Sequence, residues 1–438
     1  MAIDCVHGMT VDETAAAGGT VRNGRNHATR QVTSPLAARA IDQAAFRTIE
    51  DEYNKGGAMK TSVIEAGDWL SVTIKKIKFH FVLIISAFLL FAADPLVQRL
   101  SAQPMPRTEE RGFVYTADER GNSVSVIDLS TGQVKTIPVR ITPHNVQVSR
   151  DGHLLLVVGM LAGAKMSEGE SSMDKRGHAA MQRGRLLIFD AVTMSADSLI
   201  DIEVGREPAH VIIDAQGKLA YVSNGEDNAL SVVDIGQRKV VGKIKTGKSP
   251  HGLRMSPDAR EIYVANTGDN SVSVIDVARA REAARVPVGK APAQVGFTPD
   301  GRRVYVTSTI ENTVVVVDTA RRKKIAAVPV GRKPIQVFAT PDGRYVYVAN
   351  EGTAKNVDST VSVIDTATNK VVATVVTGKG AHGVVVTDDG SRALIANTVD
   401  STVSIIDTGT QRVTRSIKVG EGSGGITFRS VESARRQQ

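Results

Sequence analysis

The chain has 438 residues, a formal net charge of +8, a single cysteine and 42% hydrophobic residues. One cysteine excludes a disulfide-stapled domain and a cysteine-rich zinc domain. The charge excess is small for this length, and the densest basic run, Arg321 to Lys324, contains no aromatic residue, which argues against binding to nucleic acid.

The first segment in chain order, residues 1–102, contains one long apolar run. Residues 81–93 are thirteen uncharged residues that follow Lys75, Lys76 and Lys78. This pattern is typical of a signal peptide and is short for a transmembrane helix. We predict a signal peptide or short membrane anchor at residues 75–102, preceded at 1–74 by a disordered or wrongly assigned extension. The protein is then periplasmic or extracellular, and it contacts a membrane only through residues 75–93 if the segment is not cleaved.

One sequence pattern recurs seven times from Val114 onward. Each repeat closes on an aspartate: Asp128, Asp190, Asp234, Asp276, Asp318, Asp365 and Asp407. The spacings between them are 62, 44, 42, 42, 47 and 42 residues. A period of about 42 residues with short strands indicates the blades of a β-propeller, because helical repeats would show an apolar period of about 3.6 residues.

A single repeat predicts four strands. In the fifth repeat the first strand is Gln294 to Thr298, and a Pro-Asp-Gly turn leads to the second, Val304 to Ser308. The third strand is Thr313 to Asp318, and the fourth is Lys324 to Val330. Seven such repeats predict an all-β, seven-bladed propeller with four-stranded blades at residues 110–430, whose first strands line the channel, followed by a tail at 431–438.

The two ends of the repeat array are incomplete and complementary. The array begins at a second strand, Phe113 to Asp118, and it ends with a segment that has the pattern of a first strand, Gly424 to Phe428. We expect the C-terminal strand to pair into the first blade, because this pairing removes two open sheet edges.

The repeats resemble the YVTN family of β-propeller repeats. The tetrad is present as Tyr221 to Asn224, Tyr263 to Asn266, Tyr305 to Ser308 and Tyr347 to Asn350, and the resemblance covers about three quarters of the chain. The only tryptophan, Trp69, lies outside the repeats, which argues against a WD-repeat propeller. The resemblance implies a propeller that is secreted or at the cell surface, and it says more about architecture than about function. We further expect a monomeric, non-enzymatic protein that binds a protein or a cell-surface polymer.

Histidines recur where the chain enters the first strand. We predict that His144, His210, His251 and His382 occupy one register in the loops that enter four of the inner strands, with Gln294 and Gln336 at that register in two other blades. Such loops open onto one mouth of the channel, so these side chains should converge.

Converging imidazoles suit a transition metal, and the candidate cofactors are copper, zinc or haem iron. The sequence contains no CxxCH motif for covalent haem attachment. The alternative interpretation is that each histidine caps a turn or bonds a loop carbonyl.

Two blades carry insertions between their second and third strands. The segments are residues 161–185, which contain methionines and His178, and residues 350–365. We expect both to form loops on the histidine face, and the longer one to be a lid, a soft-metal segment or a disordered surface decoration.

Three functions therefore compete on the sequence alone. The first is a non-enzymatic scaffold that acts through the channel-mouth face, and the second is a metal- or haem-binding, redox-associated propeller. The third is a lactonase-like hydrolase, which would need carboxylates beside the histidines. Only Glu207, Glu351 and Glu421 are expected near that face.

Overall fold

The computed structural model describes residues 111–163, 183–195 and 199–431, which form seven antiparallel sheets of four strands each. The predicted seven-bladed propeller is confirmed. None of the residues in these three ranges belongs to a helix long and apolar enough to cross a membrane. The predicted extension, the signal or anchor segment and all but the first residue of the tail lie outside the described ranges.

The innermost strands line the channel and contact one another around the ring. In order of blades 1 to 7 they are β28 (Ser423–Ser430), β4 (Ile141–Val148), β8 (Pro208–Ile213), β12 (Pro250–Met255), β16 (Pro292–Phe297), β20 (Pro334–Ala339) and β24 (Ala381–Val386). The second strands are β1 (Gly112–Asp118), β5 (Leu154–Leu161), β9 (Leu219–Asn224), β13 (Glu261–Asn266), β17 (Arg303–Ser308), β21 (Tyr345–Thr353) and β25 (Arg392–Asn397).

The third and outermost strands complete each blade. The third strands are β2 (Ser123–Asp128), β6 (Arg183–Asp190), β10 (Ala229–Asp234), β14 (Ser271–Asp276), β18 (Thr313–Asp318), β22 (Asn356–Asp365) and β26 (Thr402–Asp407). The outermost strands are β3 (Val134–Pro138), β7 (Ile200–Arg206), β11 (Lys239–Lys245), β15 (Arg281–Pro287), β19 (Lys323–Pro329), β23 (Lys370–Val376) and β27 (Arg412–Lys418).

The hydrophobic core lies between adjacent blades. Second and third strands are covered on both faces by neighbouring blades, so their sequences are nearly continuous runs of β-branched residues. β18, for example, buries four consecutive valines. Outermost strands are covered mainly on one side, and β15 alternates exposed with partly buried residues along most of its length. This layering makes each blade depend on its neighbours.

The tyrosine of the tetrad ties one blade to the next. The Tyr305 hydroxyl donates to Oδ1 of Asn369 at 2.8 Å, and the Tyr347 hydroxyl donates to Oε1 of Gln411 at 2.9 Å. In both cases the partner lies in the turn before the outermost strand of the following blade. The recurring tyrosine therefore has a structural role at the blade interface.

The asparagine that ends the tetrad organises the channel-mouth end of its blade. The amide of Asn266 donates from Nδ2 to the hydroxyls of Ser271 and Ser273, both at 2.9 Å. A Cβ atom on Gly247 would lie 2.5 Å from that amide, so a glycine is required where the chain turns toward the inner strand.

The ring closes as the sequence predicts. β28 lies inside β1 in the sheet order β28-β1-β2-β3, with Val114 opposite Phe428 and Thr116 opposite Ile426. All residues of β28 are buried. Closure therefore depends on a strand contributed from the far end of the chain.

The insertion at residues 350–365 is a hairpin extension and not a loop, so that prediction was wrong. β21 and β22 run past the usual end of their blade, and Gly352 pairs with Val357 and Thr353 with Asn356. A register shift between Asn350 and Gly352 lets the longer strands continue in antiparallel pairing. Most of the other insertion, residues 164–182, lies outside the described part of the chain, and its role as a lid or soft-metal segment stays a prediction.

Candidate functional site

The four predicted histidines lie on inner strands and not in the loops before them. β4 carries His144, β8 carries His210, β12 carries His251 and β24 carries His382. The loop prediction was wrong because pairing begins one to three residues before each histidine; Pro250, for example, is already opposite Asn266. The histidines are thus held by sheet hydrogen bonding.

A bulge at the start of each inner strand decides which residue points into the channel. The pairing of β12 with β13 shifts between Pro250 and Leu253, and that of β8 with β9 shifts between Pro208 and Val211. His251 is the first residue after its proline, whereas His210 is the second after Pro208. The predicted single register therefore fails for His210, because the bulge allows either residue to face inward.

Close packing of neighbouring inner strands restricts the other bulge position. A Cβ atom on Gly252 would lie 2.3 Å from Oε1 of Gln294 and 2.5 Å from the Ala293 carbonyl oxygen. A histidine at the first bulge position is accordingly followed by a small residue or asparagine, as in His144-Asn145, His251-Gly252 and His382-Gly383. A histidine or glutamine at the second position follows an alanine or isoleucine, as in Ala209-His210, Ala293-Gln294 and Ile335-Gln336.

Three of the histidines converge at the channel mouth. The ring centroids are 5.3 Å apart for His144 and His251, 5.7 Å for His144 and His210, and 4.9 Å for His210 and His251. One ring nitrogen from each lies within 4.8 Å of the others. The His382 ring is 6.4 Å from that of His144. The structure thus brings three predicted residues into one cluster and places the fourth beside it.

The spacing inside this histidine cluster matches two ligands of one ion. Nε2 of His144 and Nε2 of His251 are 3.3 Å apart. Two nitrogens at a tetrahedral angle and about 2.0 Å from zinc are separated by roughly the same distance. The cluster, consisting of His144, His210 and His251, can therefore close on a single ion with small side-chain movements.

Two members of the histidine cluster are oriented through their other ring nitrogen. Nδ1 of His251 lies 3.0 Å from the carbonyl oxygen of Ala293, and Nδ1 of His144 lies 3.9 Å from Oε2 of Glu119. An oxygen acceptor at Nδ1 keeps the proton there and leaves the Nε2 lone pair for a metal, which is the usual arrangement around ligating histidines.

The other two histidines have side-chain neighbours. Gln294 accepts from the backbone N–H of Val295 through Oε1 at 2.9 Å, which directs its Nε2 toward Nδ1 of His210 at 3.4 Å. His382 faces Glu351, with Nε2 and Oε1 4.0 Å apart. Both rings are therefore positioned by side chains from other blades.

Burial keeps most of these imidazoles neutral. It lowers the pKa of His251 to about 3, lowers that of His210 well below its ordinary value of 6.5, and lowers that of His382 as well. Burial also opposes the charge on His144, but the nearby carboxylate of Glu119 outweighs it and raises the pKa. The neutral imidazole is the form that binds a metal ion.

Sequence reasoning missed one acidic residue of the site. Glu119 directly follows Asp118, just as Glu351 directly follows Asn350, so a shared position after the tetrad was an available signal. Of the predicted carboxylates, Glu207 has its pKa raised, first by burial and then by Glu226. Glu421 instead pairs with Arg120 at 3.5 Å.

Comparison with solved structures shows the same fold in proteins of low identity. Hydrazine synthase from Kuenenia stuttgartiensis matches with a TM-score of 0.54 and 19% identity over 66% of this chain and 95% of that one. A putative 6-phosphogluconolactonase from Bacteroides fragilis matches with a TM-score of 0.58 and 17% identity, over 75% of this chain and 100% of that one. The dihydro-heme d1 dehydrogenase NirN in complex with DHE matches with a TM-score of 0.52 and 14% identity, over 77% of this chain and 79% of that one. At these identities the likeness shows the fold alone.

Sequence comparison identifies one related family. No curated protein matches the chain. Residues 171–345 match the sequence profile of the family described as YNCE-like beta-propeller. Together with the closed ring of seven four-stranded blades, this match confirms the resemblance seen in the tetrads. The chain is a seven-bladed β-propeller, and residues 171–345 of it are similar to the YNCE-like propellers.

Proposed function

We propose that the protein binds one transition-metal ion, copper or zinc, at the mouth of its channel through His144, His210 and His251. The observation that carries this proposal is the convergence of three ring nitrogens within 4.8 Å on three successive inner strands. Each strand is hydrogen-bonded to its blade, so the imidazoles are held close to ligating geometry before the ion arrives.

The donor set favours copper or zinc over haem iron. A haem leaves its iron only two axial positions, whereas three converging imidazoles surround one small ion. Imidazole suits both Cu²⁺ and Zn²⁺, and Cu²⁺ binds a given nitrogen site more tightly. His382 is the next imidazole, with its ring centroid 6.4 Å from that of His144.

The location of the protein is part of the same proposal. The apolar run at residues 81–93 after three lysines is the only targeting signal in the sequence, and it supports export to the periplasm or beyond. The likeness to lactonase-named propellers does not extend to a reaction here, because identities of 15% and 17% support the fold alone.

Metal analysis of the purified protein tests the site. We expect about one Cu²⁺ or Zn²⁺ per chain after loading and gel filtration, and a loss in affinity of about 100-fold or more for H144A, H210A or H251A. The matched control is H153A, because His153 is exposed in the turn between β4 and β5. Equal metal content in the wild type and in the triple alanine variant would refute the proposal.

A scaffold function at the same face is the second candidate. The β21–β22 extension begins beside the mouth, because Glu351 of β21 lies 4.0 Å from His382, and it adds a two-stranded surface there. This surface supports docking of a protein or cell-surface polymer. Co-sedimentation with isolated cell envelopes, with and without residues 352–357, tests it; equal co-sedimentation of the two proteins counts against this role for the hairpin.

A further inference from the structure

Arg254 places a positive charge in the channel. It lies on β12, three residues after His251, and its guanidinium carbon is 5.8 Å from the centre of the Phe338 ring on β20. β12 and β20 belong to blades 4 and 6, with β16 between them. Side chains from two non-adjacent inner strands meet in this way only across the channel, so the guanidinium lies inside it.

Arg254 has no counter-charge among the residues that the structure describes. No hydrogen bond or ion pair within residues 111–163, 183–195 and 199–431 joins it to an acceptor, whereas Arg206 of blade 2 bonds Asp227 at 2.8 Å. Burial lowers the pKa of Arg254 to about 10, with no carboxylate opposing the shift. The side chain stays protonated at neutral pH, and a partly desolvated, unpaired cation is costly.

Arg254 lies on the same inner strand as one member of the histidine cluster. It follows His251 by three residues on β12. An anion bound beside Arg254 would therefore offset its unpaired positive charge and lie near the cluster.

A second unsatisfied donor belongs to blade 6, two blades from Arg254. Gln336 is 2% exposed, and its Nε2 has no hydrogen-bond partner among the residues that the structure describes. Its Oε1 accepts from the Val384 N–H at 3.4 Å, which fixes the amide orientation. Gln336 lies two residues before Phe338 on β20, so both belong to the same face of the strand. Arg254 and Gln336 thus supply donors from two sides of the channel.

We propose that the channel below the histidine cluster binds a small planar oxyanion of the carboxylate or nitrite class. Two of its oxygens accept hydrogen bonds from the Arg254 guanidinium, whose planar fork fits such a group, and Gln336 Nε2 is a further donor. In the metal-loaded protein one oxygen faces the ion held by the cluster. That last contact rests on the proposed function, whereas the Arg254 site rests on its own observations.

Anion titration with and without metal tests this inference. Formate and nitrite are titrated by calorimetry into metal-free and Cu²⁺-loaded protein at constant ionic strength in chloride. We expect saturable binding in both states, tighter with Cu²⁺, and a loss of at least about tenfold in R254M, with R254K intermediate. The control is R260M, because Arg260 belongs to the same blade and its side chain is 85% exposed.

The outcomes separate the two proposals. Anion binding that depends on Arg254 in a protein that takes up no metal supports the anion site and refutes the metal proposal. Stoichiometric metal binding with no oxyanion binding, or with equal oxyanion affinity in wild type and R254M, overturns the anion site and leaves the metal proposal standing. Folding of each variant is checked by its thermal midpoint.

Discussion

Blade 1 and blade 4 share one four-stranded architecture but differ at the positions that face the mouth. Blade 4 is continuous from β12 to β15, whereas blade 1 joins β28 to β1, β2 and β3 from the opposite end of the chain. Blade 4 presents His251 where blade 1 presents Gly424. The propeller backbone therefore accepts different side chains at the channel mouth, as long as the strands stay paired and neighbouring inner strands can still pack closely.

Removing β28 should have the largest effect, because only blade 1 depends on a strand from the other terminus. A chain that ends at Gly420 lacks the eight buried residues of β28 and leaves the edge of β1 unpaired. We expect no cooperative thermal transition in the truncated protein, measured by circular dichroism. A transition at the wild-type midpoint would show that β28 does not close the ring.

The two mouth glycines of blade 1 should respond differently to alanine. A Cβ atom on Gly425 would lie 2.8 Å from Cα of Asn145, whereas one on Gly424 meets only ordinary contacts from 3.5 Å outward. We expect G425A to lower the free energy of unfolding by roughly 1–3 kcal/mol and G424A to change it by less than about 0.5 kcal/mol. Equal denaturation midpoints for the two variants would contradict this difference in packing.

Glu119 is the contribution of blade 1 to the histidine cluster. Its Oε2 lies 3.9 Å from Nδ1 of His144, a long contact, while His251 uses a backbone carbonyl that side-chain substitution cannot remove. We expect E119Q to weaken Cu²⁺ or Zn²⁺ binding by about tenfold, without loss of stoichiometry, in a chelator competition assay. The matched control E421Q, whose Glu421 pairs with Arg120, should leave affinity unchanged.

The smallest expected effect concerns the residue that ends the tetrad. Blade 1 has buried Asp118, bonded by the Ser125 hydroxyl at 2.7 Å, where blade 4 has Asn266. Burial raises the pKa of Asp118 above 3.8 despite these bonds, so the folded state favours the protonated acid. D118N should therefore stabilise the protein by about 1 kcal/mol at pH 7.

The pH dependence of this gain follows from the direction of the shift. Stability from protonated Asp118 is fully present below the unfolded pKa and is lost as the pH rises through the folded pKa. The advantage of D118N should shrink toward zero below pH 3.8, as measured by chemical denaturation across pH. The converse change, N266D, should destabilise blade 4. If the stability gained by D118N does not depend on pH, burial of the Asp118 charge is not its cause.

Most of the fold follows from the repeat itself. Turn residues and β-branched runs recur at fixed offsets, so the predicted third strand Thr313 to Asp318 is the observed one, and the second strand differs by a single residue. The closure by β28 was also predictable, because an isolated first strand has no other partner. The hairpin at residues 350–365 was not, since its sequence lacks the alternation that marks longer strands.

The site was predictable in its residues but not in its detail. A repeat aligns the histidines to the same end of the inner strands, which is enough to indicate convergence. The bulge that turns His210 and His251 inward from different positions depends on backbone pairing, and the sequence does not show it. Arg254 was missed for a related reason: only the ring geometry shows that a residue of β12 reaches Phe338 across the channel.

The bulge at the start of the inner strands has an evolutionary consequence. Each blade offers two adjacent positions of which one faces the channel, and the hydrogen bonds on either side are unchanged by that choice. A substitution at the position that faces the channel therefore leaves strand pairing intact, provided that the other position keeps the residue that close packing requires, as Gly252 and Gly425 show. Propellers of this architecture can differ in what their mouths bind while they share one strand pairing, so ligand specificity is better compared by mouth positions than by overall sequence identity.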